Sequence, residues 1–108
     1  MTGAAPPLDA EAALRAIAHP GRRRALELAS AREHTSSELA DACGWSRPAA
    51  SQHLKVLRDA GLVDVRVDGN QRHYRAREEA LDRLRAFLDD FWSARLTSLE
   101  SHVARRRR

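Results

Sequence analysis

Acidic residues are missing from one stretch of this 108-residue chain. SRPAASQHLKVL, Ser46 to Leu57, sets Arg47, Ser51, Gln52 and Lys55 on the polar side of a helical rhythm with nothing to balance them. Cysteine is nearly missing too: Cys43 stands alone, which excludes an internal disulfide and suits a reducing compartment. No run of about 18 apolar residues is available to span a bilayer. The start, MTGAAPPLDA, has neither a basic opening nor an apolar stretch after it, so the reading is of a cytoplasmic protein without a signal peptide. A glycine-rich phosphate loop is absent. His19, His34, His53, His73 and His102 are scattered without a matched nucleophile or carboxylate, which argues against an enzyme.

What is present is a local surplus of positive charge. The chain holds 19 bases and 15 acids, a net +4. The segments before Trp45 and after Arg77 are close to balanced, and the surplus lies between them, where Arg47, Lys55, Arg58, Arg66, Arg72, Arg75 and Arg77 face only Asp59, Asp64 and Asp68. A concentrated surplus of this kind steers a polyanion, with nucleic acid as the usual partner. A membrane surface fits less well, because no basic helix with a bulky aromatic face occurs there. A nonspecific architectural DNA binder would spread its charge along the whole chain.

Met1 to Pro7 reads as a flexible N-terminal tail (1–7), ahead of one domain over 8–103 and a basic C-terminal tail over 104–108. Leu8, Ala12, Ala13, Leu14 and Ile17 have helical spacing, with Asp9 and Glu11 in the first turn, where the helix dipole favours acids. His19-Pro20-Gly21 interrupts, and a second helix follows from about Gly21 to Ala31. Thr35-Ser36-Ser37-Glu38 has the form of a capping box and announces a third helix, ELADAC, ended by Gly44. Ser46 caps the next, Pro48 is tolerated in its first turn, and Gly61 ends it. Ala50, Leu54 and Leu57 recur at i, i+4 and i+7 and face the core. Two helices joined by Gly44-Trp45-Ser46 form a helix-turn-helix pattern.

Val63, Val65 and Val67 then alternate with Asp64, Arg66 and Asp68, which is strand period. Asp68-Gly69 signals a hairpin, and Gln71 to Ala76 supplies the return strand. The fold class that results is mainly α with a β-hairpin wing: a winged helix-turn-helix of about five helices. From Glu78 to about Val103 the chain is helical. Leu81, Leu84, Leu88, Phe91 and Leu99 form one stripe, and Phe87, Trp92, Leu96 and Val103 widen it beyond what so small a domain can cover.

The run SSELADACGWSRPAASQHLKVLRDAGLVDVRVDGNQRHYRA resembles the core of the ArsR-type winged-helix repressors of bacteria, and HPGRRRALELA resembles their preceding helix. A bacterial source also fits the composition, since Lys55 is the only lysine and Ala is abundant, as in GC-rich genomes. The pair Phe91-Trp92 is similar to a subgroup of small actinobacterial regulators without a metal site. The resemblance implies a homodimer built on the first and last helices, with the helix from Ser46 in the DNA major groove, nucleoid-associated when bound. Two-fold symmetry then calls for an imperfect operator palindrome, its half-sites about one turn (~34 Å) apart or a multiple of it. The interface would use Leu8, Leu14, Ile17, Leu84, Phe87, Leu88, Phe91, Trp92, Leu96 and Leu99.

DNA contacts follow from which side of the helix is left. With Ala50, Leu54 and Leu57 inward, Arg47, Pro48, Ser51, Gln52 and Lys55 point out. Gln52 suits adenine and Arg47 suits guanine, while Ser46, Ser51 and Lys55 suit phosphate. Arg66, Arg72 and Arg75 on the hairpin would follow the backbone or enter a minor groove. His53 belongs to the same face by position, although beside Leu54 it reads more as a packed or capping residue. Arg22-Arg23-Arg24 reads equally as a phosphate contact or as a solvated helix start. Trp45 reads as packing.

Metal-sensing relatives carry a thiolate pair in the third helix, where this chain has Ala40 and Ala42, with Cys43 one residue beyond. Their other site, on the last helix, maps to Asp89, Phe91, His102 and Arg105, of which only Asp89 and His102 fit. No metal and no cofactor are therefore expected. A redox- or metal-responsive sensor acting through Cys43 is the alternative, against a small packed thiol near the turn. The inducer is unknown from sequence, and a protein-interaction module using only the last helix would leave the charged face of Ser46 to Lys55 unexplained.

Overall fold

A computed structural model describes residues 8–106, with side chains as far as Glu100. The expected tail 1–7 and the side-chain readings for His102, Val103 and Arg105 to Arg108 lie outside the described residues. The order is α1 (Ala10–Ile17), α2 (Pro20–Ala31), β1 (His34–Thr35), α3 (Ser36–Cys43), α4 (Arg47–Asp59), β2 (Val63–Asp68), β3 (Gln71–Ala76) and α5 (Glu78–Arg106).

Local chemistry sets most of these boundaries. The Asp9 carboxylate accepts from the Ala12 amide to start α1. Thr35 and Glu38 complete the expected capping box of α3, each side chain accepting from the other residue's amide. Gly44 ends α3 at φ 68°, in the left-handed region that glycine tolerates best. Ser46 Oγ accepts from the Ala49 amide at 3.2 Å, and Pro48 sits in the first turn of α4.

The core is small and rich in alanine. Leu39, Leu54, Leu57, Leu62 and Val63 are fully buried, with Ala13, Ala16, Ala25 and Ala29 allowing close approach of α1 and α2. Each buried Leu stabilises the fold by about 1.5–3 kcal/mol relative to exposure. Arg22 and Arg23, at the start of α2, reach back across the break to α1. Arg22 Nε donates to the Ala16 carbonyl at 2.8 Å, which also accepts from the His19 amide at 3.5 Å, and Arg23 Nη1 to the Ile17 carbonyl at 2.6 Å, so both cap the C-terminal end of α1.

Two features differ from the sequence reading. The sheet has three strands in the order β1-β3-β2, because His34 and Thr35 pair with Tyr74 and His73. The hairpin turn is Gly69-Asn70, with Asp68 closing the ladder opposite Gln71, so the Asp68-Gly69 signal lies one residue early. Only Gly69 has positive φ there, at 60°, which fits a turn needing glycine at its first central position.

Helix α5 continues to Arg106. Leu81, Leu84 and Leu88 meet the core. Farther along, Phe91, Trp92, Leu96 and Leu99 are about half exposed or more. No helix among the described residues is long and apolar enough to cross a membrane.

Candidate nucleic-acid interface

Helix α4 is held by its inner face and open on the other. Ala50, Leu54 and Leu57 are 3%, 1% and 0% exposed, which fixes the rotation of the helix. Ser46, Arg47, Pro48, Ser51, Gln52 and Lys55 are all exposed. Arg47 makes no ion pair among the described residues, whereas Lys55 Nζ reaches Asp59 at 2.6 Å, one turn on. The acid-free face therefore keeps Arg47 free at the N-terminal end, while toward the C-terminal end Lys55 is taken by Asp59 and Arg58 is left exposed in the last turn.

His53 is the member of the expected set that is not open. Its ring stacks on Trp45 with centroids 4.5 Å apart and lies at the same distance from His19. His19 Nδ1 in turn caps α2 by accepting from the Gly21 amide at 3.1 Å. Burial, then the nearby His19 and Arg22, hold the His53 pKa below its ordinary value. A Cβ on Gly21 would stand 3.0 Å from the Trp45 indole, so a side chain there would press the ring back by a few tenths of an ångström. Cys43 faces the same corner, its thiol donating to the Gly21 carbonyl at 3.7 Å and raised in pKa by burial, against an opposing effect of Arg24.

The pleat divides the three wing arginines. Arg72 shares a face with buried Tyr74 and Ala76, toward α3 and α4. Arg66 and Arg75 lie on the opposite face with Asp64, Asp68 and His73. There Glu33, from the loop before β1, accepts from Arg66 Nη2 at 2.6 Å and from Arg66 Nε at 3.2 Å, with His73 Nδ1 at 3.5 Å. That hydrogen bond is the main cause of a lowered Glu33 pKa and a raised Arg66 pKa. Arg66 was expected to meet DNA, and here its charge is matched within the chain.

Between the two elements lies a cleft of about 270 Å³, lined by Ser36, Ser37, Arg47, Ser51, Arg72 and Tyr74 along with apolar residues of α3 and α4. No acid lines it. Sequence reasoning missed Ser36, Ser37 and Tyr74, though the capping box that exposes the start of α3 was a usable signal for the two serines.

Of the residues expected at a dimer interface, Leu84 is packed in the core of its own chain, 5% exposed. Leu8, Leu14, Ile17 and Leu88 are partly buried at the core's edge. Phe87, Phe91, Trp92, Leu96 and Leu99 stand free on α5, with Phe91 and Trp92 in edge contact at 5.9 Å. Among the described residues no group of three or more His, Cys, Asp or Glu is placed to hold a metal ion.

Known proteins match this arrangement. A family described as a helix-turn-helix domain matches residues 17–66. The chain is 42% identical over 85 residues to the HTH-type transcriptional regulator Rv2034 of Mycobacterium tuberculosis, covering 79% of each. It is 34% identical over 76 residues to the arsenical resistance operon repressor of Staphylococcus xylosus, covering 70% of this chain and 73% of that one. The solved structure of an ArsR-like transcriptional regulator from Rhodococcus sp. RHA1 superposes with a TM-score of 0.70 at 25% identity, over 85% of this chain and 90% of the other.

Proposed function

Because the chain belongs to the ArsR family of winged helix-turn-helix transcriptional regulators, we propose that it acts as a homodimeric repressor of a palindromic operator, with its own promoter among the targets. DNA binding and transcriptional regulation come with the family, whose members are not enzymes. One observation carries the operator reading. Arg47, Ser51 and Gln52 are offered outward from a helix whose inner face is fully buried, and Arg47 has no acid to hold it back.

In this reading α4 enters the major groove, Arg47 pairs with guanine and Gln52 with adenine, each contributing about 1–3 kcal/mol of discrimination. Ser46, Pro48, Ser51 and Lys55 lie along the backbone, and Arg72 is the wing's main contact. Arg66 and Arg75 contribute less, being turned toward Glu33 and the outer acids. His53 supports the helix and does not read bases. The exposed Phe87, Phe91, Trp92, Leu96 and Leu99 supply the partner-facing surface, joined by the edge of α1. No metal or cofactor enters the mechanism, because Ala40 and Ala42 occupy the positions of the relatives' sensing thiolates.

Arg47→Ala and Gln52→Ala are expected to lower selectivity for the operator tenfold or more each, with folding and dimerisation unchanged. Gel-shift competition against random duplex measures this, and unchanged selectivity in both variants would overturn the reading. Replacing Leu88 and Phe91 by polar residues is expected to give monomers in sedimentation and much weaker operator binding. Dimers in those variants would move the interface elsewhere.

A further inference from the structure

Tyr74 is 6% exposed, and its hydroxyl has no hydrogen-bond partner among the described residues. The ring lines the floor of the cleft between α3, α4 and β3, and the hydroxyl is not sealed from solvent. The ring is buried while the hydroxyl opens on the cleft with no partner in the fold, so it is available to a group that enters. The polar groups that line the cleft with it are able to donate, beside apolar Ala40, Ala50 and Leu54. Arg47 comes from the first turn of α4 and Arg72 from the wing, neither in an ion pair among the described residues, and Ser37 and Ser51 add hydroxyls. Ser36 and Ser37 are the first two residues of α3, so their amides have no helical acceptor. The third-position acid, Glu38, has its carboxylate engaged by the Thr35 amide and Arg32.

We propose that this cleft is a phosphate clamp, in which the Tyr74 hydroxyl, Ser51 and Arg72 grip one backbone phosphodiester of DNA from the recognition helix and the wing at once, beside an Arg47 that is left to the base edge. The proposal rests on the operator reading above and specifies which protein groups join its two halves. Donors converging without a carboxylate select an oxyanion, and the cleft is several times the roughly 30 Å³ share of one water, so it admits a phosphodiester with its hydration. Groups drawn from two elements, Ser51 of α4 and Arg72 of the wing, make the grip depend on the wing's position relative to α4. Tyr74 therefore reports whether the two elements sit at the spacing of one phosphate. A free phosphate offers the same chemistry, and the test separates the two sources.

The experiment measures operator affinity of the full chain for duplexes carrying one neutral methylphosphonate at each backbone position in turn, with wild type and Tyr74→Phe. The expected result has four parts. Tyr74→Phe weakens binding to unmodified operator about tenfold. Neutralising one phosphate per half-site weakens the wild type comparably. At that position the two proteins become equal, and the thermal midpoint of Tyr74→Phe is not lowered, because the hydroxyl has no partner inside the fold. Unchanged operator affinity in Tyr74→Phe would overturn the proposal, as would a loss of affinity with no masking phosphate, or one accompanied by a lower thermal midpoint. Displacement of operator by inorganic phosphate beyond a matched chloride control, without a masking position, would assign the cleft to a free anion and overturn the DNA clamp. A wild type with no preference for operator over random duplex would remove the operator reading and this proposal together.

Discussion

Helix α4 and the wing both carry the basic surplus of the middle of the chain, and they treat it in opposite ways. On α4 the charges are separated along one helix: Arg47 stands free at the N-terminal end and Lys55 is balanced by Asp59. On the wing they are separated across the sheet, with Arg72 on the side of the helices and Arg66 and Arg75 on the side of Glu33, Asp64 and Asp68. Counting bases along the sequence treats Arg47, Arg66 and Arg72 alike. The geometry separates a free pair, Arg47 and Arg72, from an arginine already bonded to a carboxylate. An operator phosphate would have to compete with that carboxylate for Arg66, and it meets no such competitor at Arg47 or Arg72.

The comparison can be broken most severely from beneath α4. Leu54→Ala leaves a cavity where a fully buried anchor stood and is expected to cost about 2–5 kcal/mol of stability. Urea unfolding measures it, and a loss below about 1 kcal/mol would mean that α4 is not held through this residue. A smaller effect is expected from removing arginines one at a time. Arg72→Ala should lower the slope of log affinity against log salt by about one phosphate's worth. Arg66→Ala should leave that slope nearly unchanged. Equal slopes for the two variants would erase the distinction drawn between the faces of the wing. The smallest effect concerns pH. His53 has a folded-state pKa below its unfolded value, so the folded state binds fewer protons, and stability falls as pH drops below about 6.5. His53→Phe keeps a ring against Trp45 and should flatten the change in urea midpoint between about pH 7.5 and 5.5 relative to wild type. Identical profiles would assign the dependence to other groups.

The parts legible in the sequence are those governed by short-range rules. Asp9, Thr35 with Glu38, Gly44 and Ser46 each set a helix end within four residues, and the period of Ala50, Leu54 and Leu57 fixed the outward face of α4. What was not legible depends on pairs far apart in the chain. A two-residue strand has no period to detect, and β1 exists only because β3 lies beside it. Glu33 meets Arg66 across 33 positions, and nothing in either neighbourhood signals the other. The rings of His19, Trp45 and His53 come from three separate segments. Tyr74 was visible as a strand residue, but the cleft it floors is formed by elements that meet only on folding.

Gly21 has a mechanical consequence. A methyl on residue 21 would stand only 3.0 Å from the Trp45 indole, so the seam between α2 and the helix-turn-helix is closely packed at this point. Sliding there would require either a gap or a clash, both of which close-packed interiors resist. A displacement of α4 is thereby coupled to α2 through the turn. The far half of α5 meets no part of this core, so its placement is left to whatever covers Phe91, Trp92, Leu96 and Leu99.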